Sequence, residues 1–243
     1  MDLTRGALDA STIIFNHVPK AGGTSLIYLF HEIFGAERCF RHAARDHHSG
    51  AVSPPIRKVP RDELNGYRFL AGHFDYGHHA LIDRPALYVG VVRDPMDRLL
   101  SDYAFNRTQG KEELRELTSR LSFQEYIESK LDNPKSRLVT SAQIRYLTGQ
   151  ARFEAAVPVL EDHFLACCTT DQLDDMQRML ARIYRRPDLP PTRLNITIAM
   201  DEHPEISADL AGELERRFAD DRRLYDWVAK RFDQVYWSQP ILS

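Results

Sequence analysis

The sequence predicts an α/β fold in which a mostly parallel central sheet is flanked by helices. Short apolar runs of the kind found in buried parallel strands alternate along the chain with segments of helical periodicity. Strands that alternate with helices pair in parallel, because each helix returns the chain to the same end of the sheet. The length of 243 residues and the 43% hydrophobic content suit a single large domain over residues 1–243.

The predicted elements begin with a strand over residues 12–16 and a helix over residues 24–34. A polar stretch over residues 35–67 is predicted to be a long loop, and loops of this length are usually functional or mobile. The remaining predicted elements are strands near 69–72, 87–92 and 163–169 and helices near 97–106, 111–130, 136–147, 173–183 and 206–232.

Charge and cysteine content argue against several classes of protein. A formal net charge of −3 gives no overall case for binding nucleic acid or a membrane surface. The odd number of cysteines (Cys39, Cys167 and Cys168), two of them adjacent in an apolar run, argues against a disulfide framework. Near the N-terminus the sequence shows no apolar segment as long as a signal peptide or transmembrane helix. We therefore expect a cytoplasmic protein without a transmembrane segment.

The segment over residues 13–26 has the residue order of a loop that holds an anion. An apolar run ends in a Pro-Lys turn, and two glycines then precede two hydroxyl residues at the start of a helical pattern. Glycines let backbone N–H groups approach an anion closely, and a helix N-terminus adds partial positive charge. The residues predicted to bind a phosphate or sulfate ester here are Pro19, Lys20, Ala21, Gly22, Gly23, Thr24 and Ser25.

This loop differs from the loop that binds nucleoside triphosphates. The latter places its lysine directly before the hydroxyl residue that binds magnesium, whereas Lys20 precedes Gly22 and Gly23. A lysine on the entry side of the loop can reach a bridging ester oxygen instead of a terminal phosphate. The alternative interpretation is an ordinary strand–turn–helix junction with a solvated lysine.

A second segment also ends a predicted strand with a cationic residue. The apolar run over residues 87–92 is followed by Arg93, and the next predicted helix carries Ser101. Ligands of open α/β sheets bind at the carboxyl ends of strands, and the arginine fork suits bidentate recognition of phosphate. The alternative is that Arg93 pairs with Asp94 or a helix end and that Ser101 is an ordinary surface residue.

Together the two segments resemble the carbohydrate sulfotransferases. The matching residues are His-Val-Pro-Lys-Ala-Gly-Gly-Thr-Ser at 17–25 and Val-Arg-Asp-Pro-Met-Asp-Arg-Leu-Leu-Ser-Asp-Tyr at 92–103. The resemblance is closer to the branch that includes heparan sulfate 2-O-sulfotransferase and its bacterial relatives, although Ala21 stands where threonine is more usual. It extends more weakly to residues 143–149, 164–170 and 193–195.

The resemblance implies a P-loop-NTPase-like three-layer fold and a donor, 3′-phosphoadenosine 5′-phosphosulfate (PAPS), that leaves as the bisphosphate PAP. It implies that the first motif holds the 5′-phosphosulfate, with Lys20 stabilising the leaving group. Arg93 and Ser101 would bind the 3′-phosphate, and Arg193 would lie near the donor. The acceptor would be a hydroxyl of a small molecule or oligosaccharide, and the chemistry would need no metal.

The candidate catalytic base is His73. It follows the predicted strand over residues 69–72, and the Gly-His pair resembles the family segment that carries a catalytic histidine. A histidine accepts a proton near neutral pH because its usual pKa is about 6.5. Asp75, His78 and His79 are rival bases, and a structural role for His73 is the alternative.

Other interpretations of the sequence remain open. Cys39, His42, His47 and His48 are potential zinc ligands, but the sequence has no C-x-x-C or H-E-x-x-H spacing. Residues 36–61 hold six basic and two acidic residues, which suits either a polyanionic acceptor or a solvated loop. The competing functions are a P-loop kinase-like phosphotransferase and a non-catalytic nucleotide-binding regulatory protein.

Overall fold

A computed structural model describes residues 4–42, 53–133, 136–194 and 204–238. In these ranges it contains one five-stranded sheet, in which every pair of neighbouring strands is parallel. The strands are β1 (Thr12–Asn16), β2 (Cys39–Arg41), β3 (Phe69–Gly72), β4 (Ala86–Val92) and β5 (Phe164–Thr169), in the order β2-β3-β1-β4-β5. The helices are α1 (Arg5–Ala10), α2 (Thr24–Phe34), α3 (Arg61–Gly66), α4 (Pro95–Thr108), α5 (Glu112–Ser119), α6 (Phe123–Leu131), α7 (Ala142–Thr148), α8 (Phe153–His163), α9 (Leu173–Ile183) and α10 (Ala208–Ser238).

The sheet confirms the predicted α/β class with a parallel sheet flanked by helices. All five residues of the central strand β1 are buried, as expected of a strand covered on both faces. Helices α2 and α9 pack together, and α10 packs against β5, α7 and α8. A smaller apolar cluster forms where α4, α6 and α10 meet, around Tyr103, Tyr126 and Phe218.

The strand register brings the predicted site segments to one edge. Asn16, the last residue of β1, pairs with Gly72 at the end of β3, and Val92 at the end of β4 pairs with Thr169 at the end of β5. Because parallel strands end on the same side, the loops that follow β1, β3, β4 and β5 lie near one another.

Several predicted elements differ from the structure. The stretch over residues 35–67 is not one continuous loop, because its described part contains β2, α3 and two short 3-10 helices. The single helix predicted over 111–130 is two helices, since Ser122 forms a capping box with Glu125 that starts α6 anew. The helix predicted from residue 136 begins only at Ala142, and α1 and α8 were not predicted.

Neither α10 nor any other helix in the described ranges is both long and apolar enough to cross a membrane.

Candidate functional site

The loop between β1 and α2 turns sharply through two left-handed residues. Gly22 has φ of 83°, which glycine adopts without strain. Lys20 has φ of 67°, an uncommon conformation for a residue with a side chain. Such conformations cost roughly 1–3 kcal/mol and cluster at binding and active sites, so the turn at Lys20 is held by its surroundings.

Gly23 lets the loop pass close to the sheet. A Cβ atom there would lie 2.3 Å from Cζ of Phe15 and 2.7 Å from Cδ2 of His17. Gly23 is also the N-cap residue of α2 and has no side chain to occupy the helix end. The first N–H groups of a helix have no partner within it, so this end of α2 offers donors to an anion.

Lys20 reaches across to α4. Its Nζ atom lies 3.7 Å from the centre of the Phe105 ring, a cation–π contact. Burial lowers the pKa of the Lys20 ammonium, while the charge of Asp102 on the same helix raises it. The lysine is therefore held near the second predicted motif instead of extending into solvent.

Arg93 joins the two motifs directly. Its Nη1 donates a hydrogen bond to the carbonyl oxygen of Lys20 at 3.3 Å. Burial lowers the pKa of the guanidinium, and the carboxylates of Asp97 and Asp171 oppose this shift. The alternative partner, Asp94, instead caps α4 by accepting from the N–H groups of Met96 and Asp97, and it forms an ion pair with Arg222.

Ser101 is not an ordinary surface residue. It is 3% exposed and lies on α4, four residues before Phe105. Residues four apart share a helix face, so its side chain lies on the face that contacts Lys20.

Two later segments close around the loop. Thr170, just after β5, donates from Oγ1 to the carbonyl oxygens of Ala21 (3.3 Å) and Val92 (3.2 Å). Ser25 accepts at Oγ from the N–H of Leu194 at 3.0 Å, which brings the preceding Arg193 to the N-terminal end of α2.

The Arg193 side chain is held away from the loop by an ion pair. Its Nε atom lies 3.0 and 3.1 Å from the two carboxylate oxygens of Asp174. This pair raises the pKa of the arginine, whose side chain is exposed to solvent. The structure thus brings Arg193 near the predicted site but engages its charge with α9.

His73 lies at the carboxyl end of β3 with its ring exposed. Its Nδ1 is 2.7 Å from the carbonyl oxygen of His17. A carbonyl oxygen only accepts, so Nδ1 carries the hydrogen, and in the neutral ring Nε2 keeps its lone pair. This is the tautomer that a base acting through Nε2 requires.

His17 was not singled out from the sequence. Its ring stacks between those of Phe15 and His73, with centroid distances of 5.2 and 4.6 Å. Burial lowers its pKa to about 3, helped by the charges of His73, Arg41 and Lys20, so His17 stays neutral. The signal in the sequence was its position one residue beyond the first strand, directly before Val-Pro-Lys.

The three rival bases are engaged elsewhere. Asp75 accepts two hydrogen bonds from Arg137, at 2.6 and 3.1 Å. His78 is buried with Nδ1 2.8 Å from the carbonyl oxygen of Asp75. His79 lies with Nδ1 2.8 Å from the hydroxyl of Tyr88, a residue level with the start of β5 and far from the carboxyl edge.

The potential zinc ligands are only partly within the described residues. Cys39 donates from Sγ to the carbonyl oxygen of Phe30, and His42 accepts at Nδ1 from the N–H of Ile56. His47 and His48 lie outside the described residues. Among the residues that the structure does describe, no group of three or more His, Cys, Asp or Glu side chains is placed to hold a metal ion.

A buried carboxylate supports the segment that follows the second motif. Asp221 on α10 is 0% exposed and accepts from the N–H groups of Gln143 and Ile144 at the start of α7, at 3.1 and 3.0 Å. Burial raises the pKa of Asp221 to about 6, although the charge of Arg98 and the two N–H donors act in the opposite direction.

This raised pKa predicts a pH-dependent stability. Between the unfolded value of 3.8 and about 6, the folded state keeps a proton that the unfolded state has lost, so rising pH favours unfolding. The stability lost is ~3 kcal/mol, from about two pKa units. Urea titrations give the free energy of unfolding of wild type and of Asp221→Asn at each pH. We expect the difference, wild type minus variant, to fall by about this amount from pH 4 to pH 7. A difference independent of pH would contradict the assignment.

A family model described as the sulfotransferase family matches residues 8–220, which include both motifs. A search of curated proteins finds no match to the chain.

Proposed function

The chain belongs to the sulfotransferase family, and we propose that it transfers the sulfuryl group of PAPS to an acceptor hydroxyl by in-line displacement. The observation that carries the proposal is the contact between Arg93 and the backbone of Lys20, which joins two anion-binding motifs at the carboxyl edge of a parallel sheet. One phosphate-binding motif suits many ligands, whereas two adjacent ones suit a nucleotide with phosphates at both 3′ and 5′ positions.

The first motif fits the 5′-phosphosulfate. Gly22 and Gly23 let the loop turn close against the sheet, and the end of α2 supplies N–H donors and partial positive charge. Lys20 supplies a full positive charge beside this loop, which we assign to the bridging oxygen of the phosphosulfate.

The second motif fits the 3′-phosphate. The Arg93 guanidinium offers paired donors, and the buried Ser101 adds a hydroxyl on the face of α4 that contacts Lys20. We assign Arg193 a supporting role in neutralising the donor, which requires its release from Asp174. Exposed ion pairs are worth ~0–1 kcal/mol, so this release costs little.

The catalytic roles fall to Lys20 and His73. PAPS supplies the activated sulfuryl group. His73 takes the proton of the acceptor hydroxyl at Nε2, the acceptor oxygen forms the new bond to sulfur, and the bond from sulfur to the phosphate oxygen breaks. Lys20 neutralises the charge that develops on that departing oxygen, and PAP is released.

The finer features of the proposal rest on sequence resemblance. The carbohydrate acceptor and the heparan sulfate 2-O-sulfotransferase branch stay predictions, as does the cytoplasmic location. A kinase is disfavoured because Lys20 precedes the glycines and no Gly-Lys-Ser/Thr follows. A non-catalytic nucleotide-binding protein would make the same phosphate contacts but would not transfer a sulfuryl group. An assay of sulfuryl transfer therefore distinguishes it from a sulfotransferase.

Calorimetric titration tests the donor assignment. The protein is titrated with PAP and with ATP, each with and without magnesium. We expect binding of PAP that is independent of magnesium and tighter than that of ATP. A preference for magnesium-ATP would overturn the sulfotransferase proposal in favour of the kinase, and PAP binding without transfer to any of a set of sugar acceptors would favour the regulatory protein.

A further inference from the structure

A side chain, instead of a neighbouring strand, holds the peptide groups of Arg93. Arg93 lies one residue beyond β4, where the last ladder contact is the hydrogen bond from Thr170 N–H to the Val92 carbonyl. Beyond it, the Arg93 N–H donates to Oε1 of Gln143 at 2.9 Å, and the Arg93 carbonyl accepts from Nε2 of Gln143 at 2.8 Å. One carboxamide thus satisfies both backbone groups of the arginine, as a partner strand would.

Gln143 is itself firmly held. Its side chain is 0% exposed, which leaves it no water to exchange with. Its backbone N–H and that of Ile144 both donate to the buried carboxylate of Asp221, so α10 caps the helix that carries Gln143. The guanidinium of Arg98 adds a positive charge beside Asp221 and donates to the carbonyl oxygen of Leu138.

Competing partners for the Arg93 side chain lie close by. The carboxylates of Asp97 and Asp171 both act on its charge, yet the guanidinium donates to the carbonyl of Lys20. Fixing both peptide groups of Arg93 fixes the direction in which its side chain leaves the backbone. Without that restraint, the side chain is free to turn towards either acid.

We infer that Gln143 is a positioning residue, anchored through Asp221, that aims the Arg93 guanidinium at the 3′-phosphate of the donor. The inference rests on the proposed function for the role of Arg93. It also assigns a role to α10. This helix is far from both motifs in sequence, but its Asp221 is linked to Arg93 by hydrogen bonds through Gln143.

Nucleotides with and without a 3′-phosphate separate positioning from general structural support. Affinities of PAP and 5′-AMP are measured by calorimetry for wild type, Gln143→Ala, Arg93→Ala and the double variant. We expect Gln143→Ala to weaken PAP about tenfold to a hundredfold, the scale of losses from misplaced groups, and 5′-AMP less than about twofold. The double variant should bind PAP no more weakly than Arg93→Ala alone, because the clamp acts only through the arginine.

A matched control lies on the same helix. Thr148 is buried on α7 and donates to the carbonyl of Ile144, so Thr148→Val disturbs α7 without touching Arg93. It should leave the PAP to 5′-AMP affinity ratio unchanged. If Gln143→Ala does not fold, Gln143→Met fills nearly the same volume without either hydrogen bond to Arg93, and it should show the same selective loss.

The outcomes separate this inference from the proposed function. If wild type fails to bind PAP, the proposed function and the inference both fall. If wild type binds PAP but Gln143→Ala loses PAP and 5′-AMP equally, or if the double variant loses additively, only the positioning role is overturned.

Discussion

Replacing Lys20 with alanine is expected to lower kcat by about 10²–10³-fold, the usual cost of removing one donor to a developing oxyanion. The ammonium is the full positive charge beside the loop that we assign to the leaving group, and nothing in an alanine side chain replaces it. Steady-state kinetics with saturating PAPS and acceptor measure the loss. Stability should change little, since the side chain contributes mainly one cation–π contact with Phe105.

The chain offers two controls for this result. Lys130 also lies over an aromatic ring, 4.6 Å from the centre of Tyr126, so Lys130→Ala removes a comparable contact away from the site and should leave kcat unchanged. Lys20→Gly relieves the left-handed backbone at φ of 67° and should be at least as stable as Lys20→Ala, yet equally inactive. If Lys20→Ala loses so much folding stability that the loss of folded protein accounts for the fall in kcat, the lysine is structural.

Replacing His73 with alanine should lower kcat by about 10²–10⁴-fold, the range typical of general acid–base catalysis. The affinity for PAP should stay within about twofold, because His73 is assigned to the acceptor hydroxyl and touches the first motif at His17, ahead of the residues assigned to the phosphosulfate. Its Nδ1 is bonded to the carbonyl of His17, so the variant also frees that carbonyl to bond to water at an exposed position. Kinetics and calorimetry on the same preparations measure the two effects.

His163 provides the matched histidine control. It lies just before β5, packed against Tyr76 and His79, and thus at the opposite end of the strands from His73. His163→Ala should turn over like wild type. Unchanged kcat in His73→Ala would refute the base assignment, and parallel substitutions of Asp75, His78 and His79 would then identify the rival.

The sequence predicted those elements whose signal is local. β1, β3, α2 and α9 have the bounds expected from apolar runs and helical periodicity, because burial of those runs decides their structure. β2 escaped prediction because it is three residues long and, within the described ranges, has β3 as its one partner strand. The single helix predicted over 111–130 failed because a capping box at Ser122 outweighs continuous periodicity.

The same distinction applies to the site. The glycine loop and Arg93 were predicted because each lies directly after a strand, where position alone indicates a role. The contacts around the candidate site join residues far apart in sequence: Phe105 with Lys20, Gln143 with Arg93, and Asp174 with Arg193. No local pattern specifies such pairs, since they form only when elements distant in sequence pack around the loop.

The strand order has a consequence for synthesis of the chain. β1 is the first strand to be translated, yet its two neighbours are β3 and β4, so it finds both partners only after residue 92 has left the ribosome. Until then the apolar centre of β1 and the loop after it lack a sheet with both neighbouring strands in place. Strand pairings between segments distant in sequence form slowly, and apolar surface stays exposed until they form. The first-made part of the candidate site is therefore secured late, and we expect the nascent chain to be most prone to aggregation over that interval.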